Sequence, residues 1–246
     1  MGPRFITRPW MPIFLGIGLL AVAGCQTTPS APSPTSMAAE KALPPLNTAG
    51  ASHYRLRAEL SDVRFLVYKA GALSAFGHNH VIQAKSIHGD IYLAKDFQQS
   101  GFELTLPVKD FEVDAPAARS AEGADFASQP SPQAVEGTHQ NMLGAAELDV
   151  ARYPDIHLRS VVLTGPDWGP DLTVRITLHG VERDVTLPVS IEHCDDQLVV
   201  VGAFDVLQSD FGIRPLSLFG GGLQVADRVR IRFRLVASPD AAQPQI

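Results

Sequence analysis

The feature that most limits what this chain can become is a period of two in its hydrophobicity, repeated in segment after segment. Leu172, Val174, Ile176 and Leu178 alternate with Thr173, Arg175, Thr177 and His179. Val185, Leu187, Val189 and Ile191 repeat the pattern, as do Val229, Ile231, Phe233 and Leu235. Earlier in the chain, Val63, Phe65 and Val67 are spaced by Arg64 and Leu66, and Ile91/Leu93 and Phe102/Leu104/Leu106 follow. Successive side chains of a strand point to opposite faces, so this spacing predicts antiparallel strands with one dry face and one wet face. Gly180 predicts a tight turn between two of them and Asp195-Asp196 another. Six or more such strands joined by short turns predict a sandwich or a barrel. About eight strands would close around an interior just wide enough for side chains or one slim ligand. The inner face of Val, Leu, Ile and Phe would make that interior dry.

Other segments read differently. The stretch from Gly137 to Asp149 carries Met142, Leu143, Ala146 and Leu148 toward one side, which predicts one short helix, and Pro154 bars its extension. Between Asp114 and Glu136 the Ala/Ser/Pro/Glu composition offers little to bury, and it reads as a long exposed loop with room for a helical turn. Residues 25–52 are rich in Pro, Ala, Ser and Thr and read as a disordered tether, with a typical reach of ~30 Å for a flexible chain of this length. The ordered domain then occupies residues 53–238 and a tail covers 239–246.

The N-terminus has its own logic. Arg4 and Arg8 precede an apolar run from Met11 to Leu20, too short to span a bilayer comfortably, which marks residues 1–24 as a secretory signal. Leu19-Leu20-Ala21-Val22-Ala23-Gly24-Cys25 resembles the lipobox of bacterial lipoproteins. The resemblance implies that Cys25 is lipidated and becomes the new N-terminus, and that the protein works outside the cytoplasm on a membrane surface. Gln26, where an Asp would favour inner-membrane retention, points to the outer membrane, facing the periplasm. Losing the signal removes two positive charges and no acid, taking the formal charge from −6 to about −8. So acidic a chain excludes nucleic acid as its partner and electrostatic docking on anionic lipid, leaving acyl chains to attach it. With Cys25 lipidated, Cys194 has no disulfide partner and reads as a partly buried small hydrophobe, or, beside His193, as a metal ligand.

Several motifs together resemble the YceI-like family. They are Phe76-Gly77-His78-Asn79-His80 with His88-Gly89-Asp90-Ile91; Met142-Leu143-Gly144 with Leu148-Asp149-Val150-Ala151-Arg152-Tyr153-Pro154; Leu178-His179-Gly180-Val181 with Val185-Thr186-Leu187-Pro188-Val189; and Ser209-Asp210-Phe211-Gly212-Ile213 with Val225-Ala226-Asp227-Arg228-Val229. The set spans roughly residues 54–237 in the family's order. It implies a lipocalin-like antiparallel barrel with a helix, exported to the periplasm, whose interior holds a long isoprenoid chain. The chain departs from the family's pattern in two places. Glu147-Leu148 stands where members often carry paired aromatics, and Leu158 where a Phe is frequent.

The expected ligand is therefore an isoprenoid or quinone-like lipid, with no cofactor required. Interior positions expected from the strand phase and the resemblance are Phe65, Val67, Phe102, Leu104, Leu158, Ile176, Leu178, Phe211, Ile231 and Phe233. Each five-carbon unit gains up to ~4 kcal/mol on burial. Eight units would overshoot the ~18–21 kcal/mol ceiling of non-covalent binding, so chain ordering and incomplete burial must offset much of it.

Two other functions compete with lipid binding. His78 and His80 share a face if both lie on a strand and could meet a metal ion, with His139 as a third ligand by resemblance. That alternative is a metal-binding protein or a metal-dependent enzyme. The other is a filled barrel that binds a protein partner through its acidic outer face or the 114–136 loop. No G-x-S-x-G elbow or phosphate-binding Walker loop is present. Asp210-Phe211-Gly212 lacks the rest of the kinase set and reads as a turn pinned by Asp210 over a buried Phe211.

Overall fold

The computed structural model describes residues 43–240, together with Gly2. The signal, Cys25 and the first part of the tether lie outside the described residues. Twelve strand segments run β1 (Ser52–Leu56), β2 (Asp62–Ala70), β3 (His80–Ala84), β4 (His88–Leu93), β5 (Gly101–Pro107), β6 (Phe111–Val113), β7 (Asp155–Thr164), β8 (Asp171–Leu178), β9 (Val181–Cys194), β10 (Gln197–Leu207), β11 (Ser217–Leu218) and β12 (Leu223–Pro239). Helices α1 (Pro116–Ser120) and α2 (Pro132–Leu143) fall between β6 and β7.

Eleven of the segments make eight strands because three strands are bent, and the two-residue β11 pairs only with β12 outside the ring. A turn at 57–61 breaks β1 from β2, 85–87 breaks β3 from β4, and 108–110 breaks β5 from β6. The halves pair in step: β2 with β3 and β3 with β6 on one side of the bend, β1 with β4 and β4 with β5 on the other. From β5 the sheet continues through β7, β8, β9, β10 and β12. β12 closes it by pairing with both β2 and β1. The result is a closed eight-stranded antiparallel barrel, as the alternation predicted. Beyond its pairing with β3, β6 lies beside α2.

The alternation sets which residues face in. On β8, Leu172, Val174 and Ile176 are buried while Asp171 is exposed. On β12, Val229 and Ile231 are buried and Phe233 half-buried, and the exposed Arg228, Arg230, Arg232 and Arg234 alternate with them. The β8–β9 hairpin turns at His179-Gly180, both at positive φ (53° and 73°), as a two-residue connection of right-twisted strands requires. Gly180 has a second constraint: the Tyr153 ring occupies the space its Cβ would need, 2.5 Å away. Asp195, at φ 53°, closes the next hairpin.

The structure corrects or refines four expectations. The helix over 137–149 sits earlier, at Pro132–Leu143. Ser131 caps it by accepting the Ala134 N–H (3.2 Å), Pro132 occupies the first turn, and Gly144 ends it. A second short helix, α1, accompanies it.

The 114–136 segment is exposed over most of its residues and carries the helical turn α1, as its composition predicts, but it is anchored as a flap on the barrel rather than free. Leu66 and Val81 point out of the barrel, and Ala118 and Phe126 cover them in an apolar cluster of their own, with the Tyr68 ring edge-on to Phe126 (5.4 Å). Glu122 clamps the flap to the outer wall through Arg64 (3.0 Å) and Arg232 (2.6 Å), with only 2% of its side chain exposed.

Cys194 is exposed, beside the Asp195-Asp196 turn, where neither strand face is covered. Phe211 is buried as expected, but Asp227 pins its turn by accepting the Ser209 N–H (2.8 Å) and hydroxyl (2.5 Å).

Candidate functional site

The barrel encloses a cavity of about 320 Å³, at the small end of the range for ligand pockets. Its wall is almost wholly apolar side chain and draws on every strand of the ring. All ten positions chosen from the sequence line it. Leu104, Ile176, Phe211 and Ile231 are buried there; Phe65, Val67, Phe102, Leu158, Leu178 and Phe233 are half-buried. A half-buried apolar side chain pointing into a closed barrel leaves part of its surface facing void rather than protein. The centre is therefore hollow.

Registers show how the wall is built. Leu158 pairs with Leu104 on one side and Ile176 on the other, so three aliphatic side chains form a band near mid-barrel. Phe65 stacks on Phe111 (5.1 Å between centroids), and Phe204 meets Phe233 edge to face (6.3 Å). Gly202, paired with Phe233, leaves room for that ring: a Cβ there would lie 2.5 Å from its Cζ. The cavity reaches the surface beside α2, where the exposed Asn141 forms part of its lining together with Thr138, Met142, Glu147 and Leu148.

His80 also lines the cavity, but it does not build a metal centre. β3 begins at His80, so His78 lies in the preceding loop and the shared strand face never forms. His78, His80 and His139 are not brought together. Among the described residues no group of three or more His, Cys, Asp or Glu could hold a metal ion.

His80 is engaged elsewhere. Its Nδ1 lies 2.6 Å from Oδ2 of Asp114, whose side chain is fully buried. Oδ1 of Asp114 accepts the Val81 N–H (2.9 Å) and a bond from the Arg119 guanidinium. Burial pushes the Asp114 carboxyl up, but bonds from His80, the Val81 amide and Arg119 outweigh it and hold the group below the usual carboxylate range. An ionised carboxylate only accepts, so His80 Nδ1 carries a proton and donates it. Arg119 continues outward to the carbonyls of Asn79 (2.8 Å), Phe126 (2.9 Å) and Ser128 (2.6 Å). The Asn79 side chain ties Lys69 N–H (3.0 Å) to the Asp125 carbonyl (2.8 Å). The Asn79-His80 pair of the sequence motif thus fastens the flap to the barrel.

Sequence reasoning missed one group at this site as a functional residue. Glu147 lines the cavity, and its side chain makes no hydrogen bond or ion pair among the described residues. Desolvation alone pushes its carboxyl up to about 7. The available signal was the acid's place where the family pattern often has an aromatic.

The YceI-like domain model matches residues 54–237. Among solved structures, BcnA of Burkholderia cenocepacia is 16% identical, with a TM-score of 0.56, covering 74% of this chain and 99% of that one. A polyisoprenoid binding domain from Saccharophagus degradans, implicated in plant cell wall breakdown, is 14% identical, with a TM-score of 0.53, covering 76% and 98%. At these identities the likeness is one of fold. No curated protein matches the chain.

Proposed function

This chain belongs to the YceI-like domain family, and from that membership and the hollow barrel we propose that it is a binding protein holding one isoprenoid or quinone-like chain in its interior. The observation that carries the reading is the continuous apolar cavity of about 320 Å³, walled by residues of all eight barrel strands and bordered by α2. Such a space repels water and accepts hydrocarbon, since each carbon buried gains roughly 0.8 kcal/mol. The polyisoprenoid binding described for the Saccharophagus degradans domain supports the same ligand class. The protein stores, shields or carries the molecule; it does not convert it.

Native mass spectrometry of the purified full chain, followed by organic extraction, tests this. The expected result is an adduct that extraction releases as a long apolar molecule. A chain that carries no such adduct and takes up no polyprenol on loading would overturn the reading.

The lipobox-like stretch ending in Cys25 supports a membrane-tethered form, with three acyl chains holding the domain at the periplasmic face of the outer membrane. Cys25→Ser is expected to move the protein from the membrane to the soluble fraction and to abolish palmitate labelling. Unchanged fractionation and labelling would contradict the anchor.

A further inference from the structure

The polar groups of the cavity wall are few and unevenly placed. They are His80, Ser100, Thr138, Asn141, Glu147 and Gln208. Three are already committed: His80 to Asp114, Ser100 by accepting the Ala94 N–H (3.0 Å), and Gln208 by donating to the Ala226 carbonyl (2.9 Å). The side chains of Thr138, Asn141 and Glu147 make no hydrogen bond among the described residues. All three stand at one end. Thr138 and Asn141 are three apart on α2, hence on one helix face, with Met142 beside them, and Glu147 follows the helix end. The lining contains no Lys and no Arg.

We propose that the α2 end of the cavity is a head-group site for an uncharged, hydrogen-bonding terminus of an isoprenoid chain, such as an alcohol, phenol or quinol, and that Glu147 is its principal partner. This rests on the lipid-binding reading and specifies which lipids it admits. A phosphate or diphosphate terminus would meet a carboxylate with no Lys or Arg in the wall to compensate, and burying like charges together is costly. A hydroxyl terminus supplies what Glu147 lacks. It donates to the carboxylate, while the Thr138 hydroxyl and the Asn141 amide N–H can donate to its oxygen. The raised carboxyl is the expected signature of an acid kept in apolar surroundings without a partner. A quinone carbonyl fits the same place when the acid is protonated.

The test uses delipidated full chain at pH 8 and three probes with closely related hydrocarbon: geranylgeraniol, geranylgeranyl diphosphate and squalene, which has no head. Wild type is expected to bind geranylgeraniol about ten-fold or more tighter than the diphosphate, the scale of one charge-assisted hydrogen bond. Glu147→Gln, which removes the charge and keeps the shape, is expected to narrow that preference several-fold and leave squalene binding unchanged. Wild type binding alcohol and diphosphate equally would overturn the head-group site while leaving the lipid reading intact, as squalene binding would show. If none of the three probes binds, the lipid reading falls and the head-group site with it. The comparison among probes on wild type needs no variant, so poor folding of Glu147→Gln would not rescue the proposal.

Discussion

Arg119→Ala is expected to cost the domain about 3–5 kcal/mol, the usual penalty for removing one member of a buried ion pair. Arg119 is 6% exposed, and its partner Asp114 has no exposed side-chain surface. The truncation leaves a buried carboxylate short of its guanidinium, and the carbonyls of Asn79, Phe126 and Ser128 lose the bonds that Arg119 gives them. Arg119→Lys is expected to recover only part of the loss, because one ammonium cannot serve four acceptors held in a fixed fan. Urea unfolding checks this: the midpoint should fall with little change in slope. A loss below about 1 kcal/mol would mean that the flap is not held by this pair.

The same cluster sets an acid limit on stability. Asp114 is depressed in the folded state, so it contributes stability above the unfolded value of about 3.9, and that contribution is lost as pH falls through the lower folded value. A large part of the wild-type loss of stability below about pH 4 should therefore be missing in Asp114→Asn.

The barrel was legible because closure needs only a repeated two-residue period and tight turns, and both are written locally in segments such as 172–178 and 229–235. The ten inward positions followed from the same phase together with the family resemblance. The flap was not legible. Its packing depends on Leu66 and Val81, which break the polar outer face at two isolated points, and nothing local says that Ala118 and Phe126 will reach them. Nor was the bending of three strands, since short turns at 57–61, 85–87 and 108–110 resemble ordinary strand ends. The metal alternative fails at the histidine pair because a shared face presumes a strand, and the strand begins only at the second of them. Glu147 could be noticed in the sequence, but its isolation inside the cavity is a fact of tertiary structure.

Leu158→Trp is expected to abolish uptake of a long isoprenoid while sparing the fold. Leu158 sits between Leu104 and Ile176 in the mid-barrel band and is only half-buried, so its free surface faces the hollow. An indole there can grow into void. Overpacking should cost at most about 1–3 kcal/mol, less where space exists. At the fully buried neighbour Ile176, 4% exposed, the same change would strain the wall instead. Blocking the middle of a narrow passage denies a long chain most of its burial, and hence most of its binding energy.

Native mass spectrometry of wild type and Leu158→Trp, each loaded with the same forty-carbon polyprenol, measures this directly. The account predicts one polyprenol per wild-type chain and none on the variant, with matching circular dichroism. Equal loading of the two proteins would place the ligand outside the barrel and contradict the claim that its hollow centre is the binding site.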